Sequence, residues 1–159
     1  MKAMVINKIS SFEENQNPLE VLHLPVPIPS EKEILIKVTT CGVCHTELDE
    51  IEGRTPPPRL PVVPGHQAVG LVVKNGRNAQ RFRYDDRVGV AWIFSSCGRC
   101  RFCIQGNENL CLDFRATGRD SNGGYSEYMK VSEDFAYRIP DSITDSQAAP
   151  LLCAGAVGY

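Results

Sequence analysis

No apolar run in this sequence is long enough to cross a bilayer; the longest, Ala148 to Tyr159, is broken by Pro150. The first residues, Met1 to Lys8, lack the apolar core of a secretory signal, so the sequence reads as a cytoplasmic protein without membrane contact. Blocks of like charge are missing too. Lys and Arg are scattered and the formal net charge is −2, which leaves no electrostatic case for a nucleic-acid partner. There is no internal repeat and no low-complexity tract. No strand–G-x-G-x-x-G–helix unit occurs, so the chain lacks the usual cradle for a dinucleotide pyrophosphate. The nearest glycine cluster, Gly155 to Gly158, follows a predicted helix. Finally, the cysteines do not pair off. There are seven, an odd number, and without an export signal a disulfide framework explains them poorly.

What is present is an ordinary globular composition, 42% hydrophobic and 23% charged, over 159 residues, enough for one domain with its own core. Short alternating runs predict strands at Ala3–Lys8, Glu33–Thr40, Ala68–Val73, Arg87–Ala91, Tyr125–Val131 and Ala136–Ile139. Pro25, Pro27 and Pro29 mark an edge or an extended connection. His45 to Ile51 predicts a short helix stopped by Gly53. Asp141 to Tyr159 predicts another, with Thr144 as N-cap. Segment 95–115 is rich in Cys, Gly and Arg and poor in periodic apolar residues, so something other than a core must hold it.

Cys97, Cys100, Cys103 and Cys111 follow the spacing C-x2-C-x2-C-x7-C. Four thiolates this close can wrap a tetrahedral Zn²⁺ with no help from the rest of the fold. An iron–sulfur cluster of the ferredoxin type fits less well, because its last gap is shorter and a Pro follows its fourth Cys, where this chain has Leu112. Four free buried thiols fit poorly in so core-poor a segment. Arg99, Arg101 and Arg115 can offset the negative charge of a four-thiolate zinc. All four positions would be protein ligands, so this site leaves no room for chemistry.

The other thiols are Cys41, Cys44 and Cys153. Two of them with His66 would neutralise Zn²⁺ and leave a fourth position open. Four segments carry a resemblance here. They are Gly42-Val43-Cys44-His45-Thr46, Pro64-Gly65-His66-Gln67-Ala68-Val69-Gly70, Asp86-Arg87-Val88-Gly89, and Ala148-Ala149-Pro150-Leu151-Leu152-Cys153-Ala154-Gly155. In content and order they resemble the yeast-type and bacterial zinc-dependent medium-chain alcohol dehydrogenases.

That resemblance implies a mainly β fold, α+β in detail. It is the GroES-like distorted barrel with short helices, spanning 1–143, with a zinc lobe at 95–115. Residues 144–159 would begin a helix leading toward a cofactor-binding domain. The family places its catalytic zinc on Cys44, His66 and Cys153 and a structural zinc on the four-cysteine lobe, two zinc ions per chain. Thr46 would contact the alcohol hydroxyl and start a proton relay. His45 would join that relay or meet the cofactor pyrophosphate. Trp92, and more weakly Ile51, would wall a pocket for a small primary alcohol or aldehyde, with hydride passing to NAD or NADP. The intact protein would be a homo-oligomer. Simpler readings stand beside these: His66 as a core histidine, Thr46 as a helix cap, His45 as an exposed helix residue, Trp92 as core packing. Cys41 reads as a small buried residue at a strand end, and His23 as an ordinary strand or surface histidine.

The chain departs from the family at three places. Gln67 stands where the family has Glu, which removes a negative charge near the zinc and predicts an altered pH dependence or ligand exchange. Glu47 replaces an Asp that orients a ligand from behind the site. Asp85 replaces a common Gly, at a turn where Asp tolerates a left-handed backbone. Two further readings differ in function. One is a non-catalytic zinc-binding fragment from a broken reading frame or an isolated domain. The other is a zinc-independent quinone reductase of the same superfamily, disfavoured because both cysteine sets are complete.

Overall fold

A computed structural model describes residues 1–159 throughout. The order of elements is β1 (Lys2–Ile6), β2 (Leu19–His23), β3 (Glu33–Cys41), α1 (His45–Ile51), β4 (Ala68–Asn75), β5 (Arg87–Val90), β6 (Ile93–Ser95), α2 (Arg101–Ile104), β7 (Arg115–Ala116), β8 (Tyr128–Ser132), β9 (Ala136–Arg138) and α3 (Asp145–Pro150). Five strands form one antiparallel sheet in the order β8-β3-β4-β5-β9. The β1–β2 ribbon and the small β6–β7 pair are separate. Single bridges from Ala3 to Ser126 and from Ile6 to Val62 tie the ribbon to the rest. The result is the mainly β, half-barrel form of the expected fold. No helix is long and apolar enough to cross a membrane.

The main core lies against the five-stranded sheet. Ile34, Ile36, Val72, Val88, Val90, Met129 and Val131 are all nearly inaccessible and packed together with Phe82 and Phe94. On β3 the alternation is incomplete, because Leu35 is buried beside Ile34 and Ile36. That second face is covered only at Leu35, since Lys37 and Thr39, two and four residues on, are exposed.

Several boundaries differ from the sequence reading. β2 was missed, since Leu19–His23 is too exposed on its outer positions to show a clear period. β6 and β7 were missed as well. They are short and form the neck of the cysteine-rich lobe. The strand expected from Tyr125 begins at Tyr128; Tyr125 instead accepts a hydrogen bond from the Met4 N–H, at 2.8 Å, outside the ladder. Gly53 does adopt a left-handed φ of 79° just past α1, and Asp85 one of 69°.

The last helix does not run straight. Thr144 caps it, accepting from the Gln147 N–H while the Gln147 side chain accepts from the Thr144 N–H. α3 then packs Ala148 and Ala149 on Val69 of β4. Pro150 lacks the N–H that would continue the ladder. Beyond it the helix widens into a π turn over Leu151–Gly155, followed by a short α turn at Ala156–Gly158. A π bulge of this kind shifts the side chains that follow and is common at functional sites. The start of α3 is stapled down: Arg87 donates to Asp145 Oδ1 at 2.6 Å and to the carbonyl of Ile143 at 2.7 Å. Gly89 lets the helix lie close, because a Cβ there would sit 2.8 Å from Leu152.

Candidate functional site

Two groups of side chains bring metal-binding atoms within 4.8 Å of one another: Cys97, Cys100, Cys103 and Cys111, and separately Cys44, His66 and Cys153. A tetrahedral zinc with Zn–S bonds near 2.3 Å requires sulfurs about 3.8 Å apart. The observed separations are 3.9 Å for Cys97–Cys103, 3.5 Å for Cys100–Cys103 and 3.9 Å for Cys44–Cys153. Both groups therefore have the spacing that the metal demands.

In the lobe, the four thiols come from a single stretch, Cys97 to Cys111. Cys100 caps α2, and its N–H donates to Cys97 Sγ at 3.3 Å; the Cys97 N–H donates to Cys111 Sγ at 3.5 Å. Backbone N–H groups of Arg99 and Cys100 stabilise the thiolate of Cys97 and pull its pKa down to about 6. The Ser96 hydroxyl likewise lowers Cys103. The arginines in this segment are partly engaged elsewhere, Arg101 against the Phe102 ring and Arg115 against Phe94. Backbone donors thus carry much of the charge offset expected of the arginines.

The second group is assembled from distant elements. Cys44 is the N-cap of α1, so the helix is capped there and not at Thr46. Thr46 sits in the first turn with Oγ1 3.6 Å from Cys44 Sγ. His66 lies between Gly65 and β4, 1% exposed. Gly65 has φ +98°, and a Cβ on it would strike Tyr125 at 2.5 Å, so the turn that presents His66 needs glycine. Cys153 arrives on the π turn.

Glu47 links two of these residues. Its Oε2 accepts the Cys44 N–H at 2.7 Å, and its Oε1 lies 2.6 Å from His66 Nδ1. At that distance the buried carboxylate can hold the orientation of the ring. Glu47 is 2% exposed. With Nδ1 facing Glu47, Nε2 is a buried nitrogen with no partner in the protein. An orphaned buried imidazole nitrogen next to two thiols fits a metal ion.

The electrostatics agree. Burial, and then the charge of Cys44, push Cys153 up to about 11. Two thiolates this close to Glu47 repel one another unless a cation lies between them. Cys41 stands apart from the group. Burial pushes its thiol up to about 12, as expected for a packed strand-end residue. His45 is largely exposed, its Nε2 3.6 Å from Asp49. His23 pairs with Lys2 at the exposed edge of the ribbon.

Trp92 packs edge-to-face on His66, ring centroids 5.1 Å apart. Ile51 lies in a core cluster with Ile6 and Val62, 3% exposed. The Gln67 side chain is buried behind the site, touches the space above Gly42, and has neither amide atom partnered. A cavity of about 480 Å³ lies elsewhere, between the ribbon and β8, lined by Leu24, Arg59, Phe94 and Met129 among others.

Sequence reasoning overlooked one feature of this region. Glu50, one turn beyond Glu47, is fully buried with both oxygens unpartnered, and burial raises its pKa to about 8. The stretch Glu47 to Glu50 looks like a solvated helix face. Only the i, i+3 spacing of the two glutamates hinted that they share a side.

The chain matches the alcohol dehydrogenase GroES-like domain over residues 30–141. It is 40% identical over 160 aligned positions to an alcohol dehydrogenase of Geobacillus stearothermophilus, covering all of this chain and 45% of that protein. Among solved structures it superposes with a cinnamyl alcohol dehydrogenase from Sorghum bicolor at a TM-score of 0.86 and 34% identity, over 99% of this chain and 46% of the other. A cobalt- and zinc-bound thermostable alcohol dehydrogenase from Pyrobaculum aerophilum matches at a TM-score of 0.84 and 26% identity, over 95% and 44%. The chain spans about half the length of the curated relatives it matches.

Proposed function

The chain belongs to the alcohol dehydrogenase GroES-like family, and on that premise we propose that it is the catalytic domain of a zinc-dependent alcohol dehydrogenase. Residues 1–143 form the domain, and 144–159 begin a helix that leads toward a cofactor-binding region. The whole protein interconverts a small primary alcohol and its aldehyde, exchanging hydride with NAD or NADP. One observation carries this reading. Three residues from separate elements, Cys44, His66 and Cys153, converge within 4.8 Å with no fourth protein ligand among them. A set of two thiols and an imidazole balances a divalent cation and leaves one position for substrate.

Zinc bound there would act as a Lewis acid toward an alcohol or carbonyl oxygen. The protein's own groups do the rest. Glu47 holds the His66 ring and the start of α1 in register, fixing two ligand residues at once. Thr46 places a hydroxyl beside Cys44 Sγ, where it can accept a hydrogen bond from the substrate and pass the proton outward. His45, exposed one residue away, serves as the next acceptor or as a contact for the cofactor. Trp92 restricts the pocket beside His66 to small substrates, with Ile51, the last residue of α1, as a deeper and weaker contributor to its wall. The four-cysteine lobe holds a second zinc in a structural role.

Metal analysis of the purified chain tests the core of this reading. Two equivalents of zinc are expected, falling to one in Cys153→Ser and to one in Cys103→Ser. A parent chain holding a single equivalent that survives Cys153→Ser overturns the open site.

A further inference from the structure

Trp92 is the only tryptophan in the chain. Besides the His66 ring it has a cationic neighbour: the guanidinium carbon of Arg119 lies 5.8 Å from the indole centroid, within the range of a cation–π contact. Arg119 is held firmly. Its Nε and one terminal nitrogen donate to the two carboxylate oxygens of Asp120, at 3.3 and 3.0 Å. Such a fork sets the plane of the guanidinium as well as its position. Asp120 is itself fixed, accepting the Ala116 N–H at 2.6 Å on β7. The same turn is bonded to the residue it covers, since the Thr117 N–H donates to the Trp92 carbonyl at 2.8 Å.

Arg119 is also a positive charge that acts on the buried carboxyl of Glu50, against the acids Glu47, Asp120 and Asp49. Glu50 is inaccessible and its oxygens have no hydrogen-bond partner. A guanidinium in this place is disfavoured from leaving, because its departure removes the cation paired with Asp120 and nearest the buried Glu50 carboxyl.

We infer that Arg119 is a positioning residue: clamped by Asp120, its guanidinium pins the indole of Trp92 against His66 and so fixes the wall of the open site. The consequence for substrate size rests on the alcohol dehydrogenase reading; the arrangement itself does not. An indole free to change rotamer leaves His66 uncovered and the pocket ill-defined, whereas a pinned one presents a constant edge. Lys in this position keeps the charge but loses the fork, and Met keeps the length and loses both.

The test uses the single tryptophan as its own probe, in the full chain. Acrylamide quenching of Trp92 emission is measured in the parent, Arg119→Met, Arg119→Lys and Asp120→Asn, with thermal midpoints recorded for each. The quenching constant is expected to rise roughly two- to fivefold in Arg119→Met, the population change that goes with losing a cation–π contact. It should rise less in Asp120→Asn, which keeps an acceptor for the Ala116 N–H, and return toward the parent value in Arg119→Lys. An Arg119→Met chain that melts like the parent and quenches like the parent overturns the inference. Should that variant not fold, parental quenching in Asp120→Asn overturns it equally. Cobalt titration of the same samples keeps the two readings apart. A chain that takes up only one equivalent of cobalt counts against the open metal site, while the quenching series still decides the role of Arg119.

Discussion

In the lobe all four thiols fall between Cys97 and Cys111, and only Cys111 among them is buried. Large apolar side chains nearby, Ile104, Leu110 and Leu112, point to solvent. At the proposed open site the converging side chains are Cys44, His66 and Cys153, and they rest on a helix cap, a glycine turn and a π bulge. His66 is sealed in by Trp92 and Glu47. The first group is one loop with the spacing to close around a metal, the second a set of groups that the fold already holds together. On the proposed reading, the contrast is between a structural metal that stands in for a core and a reactive one that a core must carry.

The comparison breaks most readily at the lobe. Stripping metal with a chelator removes roughly 10–16 kcal/mol of binding free energy on the scale of zinc-finger peptides. Hydrogen exchange should then reach the fully open rate across 97–111, while the amides of β3, β4 and β5 remain protected. If the lobe stays protected without metal, the distinction between the two sites fails.

A smaller effect is expected at the open site. Glu47→Gln keeps the helix cap but discards the charge facing His66, and should weaken metal binding there by about 10–100-fold. Competition with a coloured chelator measures this, and affinity at the lobe should stay at the parent value. Equal weakening at both sites would mean that Glu47 acts through global stability.

The buried carboxyl of Glu50 sharpens the contrast through pH. Its pKa in the fold, about 8, lies above the ordinary 4.5 because burial favours the neutral acid. The folded chain therefore holds a proton that the unfolded chain releases. Stability from this group is full below pH 4.5 and falls as pH rises toward 8. In Glu50→Gln this slope should vanish, so urea midpoints of variant and parent diverge in favour of the variant from pH 5 to pH 9. Parallel curves would place the carboxyl in contact with water.

The smallest effect concerns Cys41, the thiol outside both groups. Cys41→Ala should leave two metal equivalents in place and lower stability by about 1 kcal/mol, the usual scale for a minor core truncation. Loss of a metal equivalent on that substitution would show that the ligand set has been misassigned.

Much of this site was legible in the chain. The spacing of Cys97, Cys100, Cys103 and Cys111 defines a tetrahedral pocket almost without a fold, because the loop between ligands is too short to place them elsewhere. The helix at His45 and the cap at Thr144 were visible for a similar reason, since capping and turn chemistry act over four residues. The strands were legible where one face is buried and not where they are short or edge-exposed, as at Leu19–His23 and Arg115–Ala116.

What the chain alone determined is therefore what depends on near neighbours: the thiol loop, the caps, the alternation of the central strands. Tertiary structure decided the rest. It brought Cys153 to Cys44 across more than a hundred residues of sequence separation. It set Glu47 behind His66, buried Glu50 without a partner, and laid Arg119 on Trp92. Contacts of that kind have no local signature, because a carboxylate on a short helix is equally suited to water and to a buried imidazole until the sheet closes over it.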